Sequence, residues 1–214
     1  MFKHVEIMNE IHQNERDEKR KFWYSNGQLK TYASYRNGRL EGECKFWHMN
    51  GQLMEHSFYR NGQLEEECKT WYANGQPSIQ EFYRDGKWDG ERKRWYENGQ
   101  LWIRELYQDG EQEGKCEWWH INGELSDRVF YQNRKWEGER ISWYDNGKPY
   151  ARSFYRNGKR EGERKEWNED GSLLKYNFFR KLTVDRKSMK IKIETVNYSN
   201  SKKPYFSNLI DFSI

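Results

Sequence analysis

Three residue types in this chain could carry chemistry, and each recurs at a fixed interval. His48 and His120 could act as bases, Cys44, Cys68 and Cys116 could act as nucleophiles, and the 11 tryptophans could stack on bases or sugars. A catalyst needs side chains that interrupt a repeat, because a repeated column cannot form one unique pocket seven times. We therefore predict no catalytic residue, no metal site and no cofactor.

The histidines and cysteines have structural interpretations. His48 and His120 occupy a column that otherwise holds tyrosines, at Tyr24, Tyr72, Tyr96 and Tyr144, which suggests aromatic substitutes. The three cysteines also share one column. Equivalent residues of adjacent two-stranded repeats lie about 10 Å apart, beyond the reach of a disulfide. We expect small buried thiols.

The interval is 24 residues, and it is set by tryptophan. An indole recurs without any insertion at Trp23, Trp47, Trp71, Trp95, Trp119, Trp143 and Trp167. A glycine follows four residues later in every case, at Gly27, Gly51, Gly75, Gly99, Gly123, Gly147 and Gly171. Asn precedes six of these glycines and Asp170 precedes the seventh. We interpret the glycines as turn residues and the indoles as the core of a repeat.

A second turn signal lies halfway through the repeat, for example at Asn37-Gly38 and Asn61-Gly62, and is lost at Asn133-Arg134 and Lys181-Leu182. Asn-Gly between short aromatic runs favours a type I′ hairpin turn. Two such turns leave segments of strand length. The sequence therefore predicts an all-β fold, an elongated and twisted antiparallel meander of about seven two-stranded repeats.

The turns also predict the register of the strands. With Asn50-Gly51 as a two-residue loop, Glu41 lies opposite Arg60 and Gly42 opposite Tyr59. The same rule pairs opposite charges in five hairpins. It places a strand glycine under an aromatic ring in most repeats, where the ring would cover the gap that glycine leaves. We expect a second column of the core at Tyr35, Tyr59, Tyr83, Tyr107, Tyr131 and Tyr155.

The composition is unusual for a compact domain. Charged residues make up 34% and the mean hydropathy is −1.34, yet aromatic residues reach 17%. An ordered chain with a thin aromatic core explains both values. The net charge of +4 comes from interleaved charges, which disfavours nucleic acid as a partner. Without a signal-like apolar run and with an odd number of cysteines, the expected location is the cytoplasm or another reducing compartment.

The chain divides into four predicted segments. Residues 1–18 are a degenerate N-terminal cap, 19–182 hold the repeats, 183–196 form a capping strand and 197–214 form a tail. The tail carries Phe206, Leu209, Ile210 and Phe212 behind a polar stretch. It either folds back on the protein or docks on a partner. Lysines of the capping strand could bind anionic lipid, although a solvated edge that discourages aggregation also explains them.

The repeated pattern resembles the MORN-repeat variant family of bacterial proteins and large DNA viruses. The motif segments "WYENGQLWIRELYQDGEQEG" and "WYDNGKPYARSFYRNGKREGE" carry the resemblance, which covers roughly residues 15–180. It implies an extended antiparallel sheet, no catalytic residues, and a role as a scaffold or interaction module, with a link to membrane phospholipids proposed for some members. Bacterial relatives are often labelled antitoxin-like. Glu66 and Arg134 depart from the pattern, because each replaces a glycine.

These observations predict a non-enzymatic protein that binds other proteins or belongs to a larger assembly, such as a virus particle if the source is viral. Self-association through a sheet face or a terminal edge strand is a further expectation. Two alternatives stay open: an adaptor at an anionic membrane surface, and a glycan-binding repeat module.

Overall fold

The computed structural model describes residues 17–179 in full and residues 183–185, 190–192, 195–199 and 205–206 by their backbone. None of these residues is helical, which confirms the predicted all-β class. The strands are β1 Asp17–Trp23, β2 Leu29–Arg36, β3 Arg39–Trp47, β4 Leu53–Arg60, β5 Gln63–Trp71, β6 Pro77–Arg84, β7 Lys87–Trp88, β8 Gly90–Trp95, β9 Leu101–Gln108, β10 Glu111–Gln112, β11 Gly114–Trp119, β12 Leu125–Gln132, β13 Lys135–Trp143, β14 Pro149–Arg156, β15 Lys159–Trp167, β16 Leu173–Phe179, β17 Thr183–Asp185, β18 Lys190–Lys192, β19 Thr195–Ser199 and β20 Tyr205–Phe206.

The chain forms two compact units. The first consists of Met1–Leu101 with Tyr107–Glu111, and the second of Trp102–Leu106 with Gln112–Ile214. Within the first unit, β1 to β6 pair antiparallel with their neighbours in chain order, and β6 also pairs with β7 and β8. Within the second unit, β11 to β16 pair in the same consecutive manner. The predicted meander of two-stranded repeats is confirmed.

The predicted register across each tryptophan turn is also correct. Gly42 lies opposite Tyr59, Gly114 opposite Tyr131 and Gly138 opposite Tyr155. The turn itself is not the predicted two-residue loop. Gly51 donates its N–H to the His48 carbonyl at 2.9 Å, and His48 donates to the Gln52 carbonyl at 2.8 Å, so three residues form the loop. The register shift next to Trp47 compensates for the additional loop residue.

Only the glycine of this turn has a left-handed backbone, with φ of 86° at Gly51. Asn50 is not among the residues with positive φ, so a type I′ turn is excluded there. A three-residue loop with glycine in the left-handed position is the next most common hairpin connection. The asparagine before each glycine therefore has a different function, which its side-chain contacts show below.

The halfway turns do have the predicted type I′ backbone. Asn37 has φ of 51° and Gly38 has φ of 78°, as the two central residues of that turn require. The turn also forms at Asn133-Arg134, where the signal is absent from the sequence, with φ of 51° and 64°. Arg134 thus adopts a conformation that side chains with a Cβ disfavour.

The strand glycines are bulge residues. Gly42, Gly138 and the equivalent Glu66 have φ of 83°, 73° and 62°. A Cβ added at Gly138 would meet no atom within 4 Å, and at Gly42 the nearest atom would be the Ser34 Cβ. The prediction that these glycines make room for an aromatic ring is therefore wrong at Gly42 and Gly138, whereas a Cβ added at Gly90 would lie 3.4 Å from the Phe82 ring. Gly42 and Gly138 are glycines because the bulge requires a positive φ.

The segment after β16 changes its pairing. The backbone of β17 pairs only with β18 among the described strands, and β19 pairs antiparallel with β16 from Lys175–Ser199 to Phe179–Thr195. β20 in turn pairs with β19. The final described repeat is thus followed by two further strands of the same sheet. The predicted N-terminal cap lies outside the described residues, apart from its last two positions.

Candidate interaction surface

The column of phenol and imidazole rings connects successive repeats within each unit. The Tyr24 hydroxyl donates a hydrogen bond to the Trp47 carbonyl at 2.7 Å, and the Tyr72 hydroxyl donates to the Trp95 carbonyl at 2.7 Å. His48 places Nε2 at 2.8 Å from the Trp71 carbonyl. A histidine bound this way must carry its proton on Nε2, since a carbonyl only accepts. His48 therefore replaces a tyrosine, as the sequence indicated.

The turn asparagines form a second connection. Asn50 accepts a hydrogen bond from the Gln52 N–H at 3.1 Å and donates through Nδ2 to the Ala73 carbonyl at 2.7 Å, one repeat further along. Asn26, Asn74 and Asn122 donate in the same way. Asp170 accepts from the Ser172 N–H at 2.7 Å, and its carboxylate has no proton to donate. Asparagine is thus required for its two-sided amide and not for its backbone conformation.

The halfway turns are held by carboxylates. Glu41 accepts a hydrogen bond from the Asn61 N–H at 2.7 Å, and Glu65 accepts from the Asp85 N–H at 2.8 Å. The opposite-charge pair predicted for the first hairpin, Asp17 with Arg36, forms at 2.9 Å. The predicted ion pairs between Glu41 and Arg60 and between Glu65 and Arg84 do not form. Arg60 instead pairs with Glu65 at 3.1 Å, across the type I′ turn. The turn amide has no other acceptor in a two-residue loop, and this orphan donor attracts the carboxylate.

The most buried line of side chains is neither of the predicted aromatic columns. It follows the centres of the strands that come after the tryptophan turns, where the residues are small or polar. Its members are Ala33, Ser57, Glu81, Glu105, Val129, Ser153 and Asn177, and all of them are buried. The six tryptophans of the 24-residue column from Trp47 to Trp167 are half-buried, and Trp23 is exposed. The aromatic rings thus lie beside a narrow centre of smaller side chains.

The three thiols lie opposite this line. Cys44 faces Ser57, Cys68 faces Glu81 and Cys116 faces Val129. Burial raises the pKa of Cys44 to about 11, of Cys68 to about 12 and of Cys116 to about 11. A thiol with such a pKa carries little thiolate at neutral pH, and the thiolate is the nucleophile. These cysteines are packing residues, as the sequence predicted.

A buried ionic cluster occupies the same line in the first unit. Glu81 and Arg92 form an ion pair at 2.7 Å, and the Tyr83 hydroxyl donates to the other Glu81 oxygen at 2.5 Å. Trp88 donates its indole N–H to the Tyr83 oxygen at 2.9 Å and lies under the Arg92 guanidinium. Burial raises the pKa of Tyr83 further than its contact with Trp88 lowers it. The polar side chains of this cluster form hydrogen bonds with one another, and these bonds join β6 to β7 and β8.

The opposite side of the strands, which we call the ladder face, alternates acidic and basic side chains. Glu43 pairs with Lys45 at 2.6 Å, Glu67 with Lys69 at 2.8 Å, and the repeat continues with pairs such as Glu163–Lys165. The hydrogen bond from Lys45 lowers the pKa of Glu43, while burial acts in the opposite direction. Because each acid has its own base, these pairs add little net field to the ladder face.

An apolar column lies between these charges, with one member in each repeat after the first, where the equivalent residue is Ser34. It consists of Phe58, Phe82, Leu106, Phe130, Phe154 and Phe178, and cross-strand partners such as Glu43 for Phe58 place it on the ladder face. Leu106 and Phe130 are the most exposed, at 42% and 43%, and the others are half-buried. The largest apolar exposure of this column therefore lies within the second unit.

The charge order is reversed at the same place. Lys115 occupies the position of Glu43 and Glu67, and it pairs with Glu117 at 2.9 Å. Lys115 lies directly opposite Phe130, and Glu117 opposite Arg104. Trp102, which is 39% exposed, lies two residues before Arg104 on the same face of β9. We call Trp102, Leu106, Lys115 and Phe130 the docking patch.

Two surface clefts accompany these columns. One of about 360 Å³ is lined in part by Trp71, Pro77 and Trp95 within the first unit. Another of about 100 Å³ is lined in part by Arg140, Tyr150 and Arg164 within the second. The described residues contain no group of three potential metal ligands and no helix that could cross a membrane.

The predicted docking residues of the tail are placed only in part. Phe206 belongs to β20, whose backbone pairs with β19. Leu209, Ile210 and Phe212 lie outside the described residues. The docking patch was not predicted from the sequence. Its signal was the reversal of Glu and Lys at 115 and 117, which breaks the charge order of the neighbouring repeats.

A family model described as MORN repeat variant matches the chain at residues 19–37, 40–61, 67–85, 88–109, 136–157 and 160–181. The gap in the matches, from 110 to 135, includes Lys115 and Phe130. No curated protein matches the chain.

One solved structure similar to part of the chain is a mutant of TarM from S. aureus, in complex with fondaparinux, alpha-GlcNAc-glycerol and UDP. The sequence identity is 11%, the alignment covers 73% of this chain and 23% of that chain, and the TM-score is 0.19. This chain thus spans about a quarter of the length of TarM, and a TM-score of this size supports no conclusion about fold or ligand.

Proposed function

Because this chain belongs to the MORN repeat variant family, we propose that it is a non-enzymatic scaffold that binds a protein partner at the docking patch. MORN repeats are generally modules that bind proteins or membranes, and they are typically non-enzymatic. The finer proposal, a protein partner at a defined place, rests on the contacts of Trp102, Leu106, Lys115 and Phe130.

The single observation that carries the proposal is the coincidence of apolar exposure and altered charge. In the other described repeats of the ladder face, the apolar residue is half-buried between paired charges. Leu106 and Phe130, by contrast, are 42% and 43% exposed. Exposed aromatic and aliphatic side chains that cluster on a polar surface are typical of sites where proteins bind.

The charges near the docking patch indicate the chemistry of the partner. Lys115 stands beside the patch with 53% of its side chain exposed, whereas its pair Glu117 is largely buried. Arg128 is the cross-strand partner of Glu117 on β12. The Arg128 guanidinium lies over the Trp143 ring, 5.5 Å from its centre. Cations at the rim of an apolar patch favour a partner segment with apolar anchors and acidic neighbours.

The test is affinity purification from the native source with the wild-type chain and the double variant Leu106→Asp, Phe130→Asp. We expect the variant to lose the partner, because two charges replace the apolar centre of the patch. Tyr150→Asp is the matched control, since Tyr150 is 43% exposed and lies outside the patch. Circular dichroism establishes that each variant is folded. Equal recovery of the same proteins by all three chains would refute the proposal.

A lipid surface is distinguished in the same series. Sedimentation with phosphatidylserine vesicles measures binding of the wild-type chain and of a chain that lacks residues 180–214. Vesicle binding that depends on residues 180–214, without capture of any protein, would favour the membrane alternative over the protein scaffold. If the chain captured no protein and bound no vesicles, both the protein scaffold and the membrane alternative would be refuted.

A further inference from the structure

The first strand of the repeats has an exposed edge with the aromatic pattern of an internal repeat. All seven residues of β1 are exposed, including Phe22 at 53% and Trp23 at 57%. Their equivalents in the next repeat, Phe46 and Trp47, are half-buried. The same two residue types are thus packed inside the array and uncovered at β1.

The preceding repeat is what covers the internal positions. The Tyr24 hydroxyl and the Asn26 amide donate to the carbonyls of Trp47 and Met49. Among the described strands, β1 is hydrogen-bonded to β2 alone, whereas β16 at the other end of the repeats is followed by β19 and β20. Repeat arrays need a cover at each terminal repeat. We infer that β1 pairs antiparallel with β1 of a second copy, which forms a symmetric dimer.

The backbone direction determines which residues of β1 face the second copy. Tyr24 donates its N–H to the Gln28 carbonyl, which points toward β2. Hydrogen-bonding direction alternates along a strand, so the N–H and C=O groups of Asp17, Lys19 and Lys21 point away from β2. These groups form the exposed edge that another strand can extend.

The charges of β1 are most complementary in one register. The segment reads Asp-Glu-Lys-Arg-Lys from Asp17 to Lys21. With a two-fold axis at Lys19, Asp17 of one copy lies opposite Lys21 of the other, and Glu18 lies opposite Arg20. A shift by two residues keeps the same hydrogen-bonding residues. In one direction it places Lys19 opposite Lys21, and in the other it places Glu18 opposite Glu18. Opposite charges across a strand pair favour the first register.

The like-charged contact in this register is the pair of Lys19 side chains at the axis. Lysine can extend its ammonium into solvent along a flexible chain, which reduces the repulsion. Phe22 and Trp23 lie beyond the paired segment on both sides of the axis. Isologous contacts of this kind, in which the same surface serves both copies, are typical of homodimers.

Cysteine cross-linking tests the register directly. Lys19→Cys places the two introduced thiols opposite each other across the axis, so mild oxidation should give a covalent dimer. Lys21→Cys is the matched control on the same strand, because its two copies are offset by four residues and lie about 13 Å apart along the strands, out of disulfide reach. The native thiols are buried and do not compete.

Analytical ultracentrifugation then tests the charge pairs without any cross-link. The wild-type chain should show a dimer that dissociates on dilution. Lys21→Asp alone should weaken the dimer by roughly tenfold or more, since two symmetric pairs change in each dimer. Asp17→Lys should weaken the dimer too, but it also removes the ion pair of 2.9 Å between Asp17 and Arg36 within each chain, so circular dichroism must show that this variant is folded. The double exchange Asp17→Lys, Lys21→Asp should restore the dimer.

Two results would overturn the inference: equal cross-linking of the Lys19→Cys and Lys21→Cys chains, or a monomer at every concentration with normal circular dichroism. Partner capture by the docking patch does not involve β1. A failure of the dimer and a failure of the proposed scaffold function are therefore separate outcomes.

Discussion

The Tyr72 hydroxyl donates a hydrogen bond of 2.7 Å to the carbonyl oxygen of Trp95, 23 residues later in the chain. The same bond is made by Tyr24 and by Tyr144 in their own repeats. It joins the turn of one repeat to the last strand residue before the turn of the next. A repeat with no thick aliphatic core depends on such directional contacts with its neighbours.

Removal of one of these hydroxyls should therefore lower the stability. We expect Tyr72→Phe to reduce the free energy of unfolding by about 1 kcal/mol, because the Trp95 carbonyl loses its donor. Urea unfolding followed by tryptophan fluorescence measures the change. Tyr32→Phe is the control, since its hydroxyl makes no hydrogen bond with the described residues, and an equal loss in both variants would contradict the assignment.

His48 should tolerate a return to the residue type of its column. His48→Tyr can donate to the Trp71 carbonyl as Tyr24 does to Trp47, so we expect a change within about 0.5 kcal/mol. His48→Phe removes the donor and should cost about 1 kcal/mol. Urea unfolding measures the stability of both variants. If His48→Phe were as stable as His48→Tyr, the hydrogen bond to the Trp71 carbonyl would contribute nothing to stability.

Two residues with left-handed backbones are neither glycine, asparagine nor aspartate, and their replacement by glycine should stabilise the protein. Glu66 and Arg134 have φ of 62° and 64°, and a Cβ in this conformation costs roughly 1–2 kcal/mol. We expect Glu66→Gly and Arg134→Gly each to stabilise the protein by about 1 kcal/mol. Thermal unfolding measures the gain.

Gly138→Ala is the opposite experiment. No atom lies within 4 Å of the added methyl group, so any loss of stability reports the backbone conformation and not a clash. We expect destabilisation by about 1 kcal/mol. A neutral Gly138→Ala chain would mean that the bulge does not depend on glycine.

The buried thiols should make the protein less stable at high pH. Their pKa values are raised from 9.0 to about 11 or 12 in the folded chain. Below pH 9 the thiols are protonated in both states and the stability does not depend on them. As the pH rises above 9, the unfolded chain releases these protons first, so stability falls progressively toward the folded pKa values.

Urea unfolding at pH 8, 9 and 10 measures this decline. The control is a variant with alanine at 44, 68 and 116, which should have a shallower decline. Ionisation of the tyrosines contributes equally to the pH dependence of stability in both chains. A parallel decline in the two chains would contradict the role of the thiols.

The fold was predictable because the repeat is strict. An unbroken tryptophan period and paired turn signals determine strand lengths and register, and the opposition of Gly42 and Tyr59 follows from them. The local chemistry was less accessible. The asparagine of the tryptophan turn was expected to supply a positive φ, whereas Asn50 supplies an amide that bonds in two directions.

The interaction surface was harder to predict, because exposure depends on neighbours that the sequence does not identify. Phe58 and Phe130 are equivalent in the repeat and identical in type, yet Phe130 is the more exposed. The buried line through Ser57 and Val129 was missed for a related reason. Its residues share no chemical type, and only their position between two aromatic columns makes them a core.

The contacts that join successive repeats reach forward by a constant 23 residues, from Tyr24 to Trp47 and from Asn50 to Ala73. A duplicated stretch of 24 codons, inserted in phase, therefore brings its own donors and acceptors and requires no new partner. The gene can gain or lose whole modules by recombination, whereas an insertion of one residue in a strand would turn the following side chains to the wrong face. The number of repeats in the chain can thus change in steps of 24 residues while the contacts between neighbouring repeats stay the same.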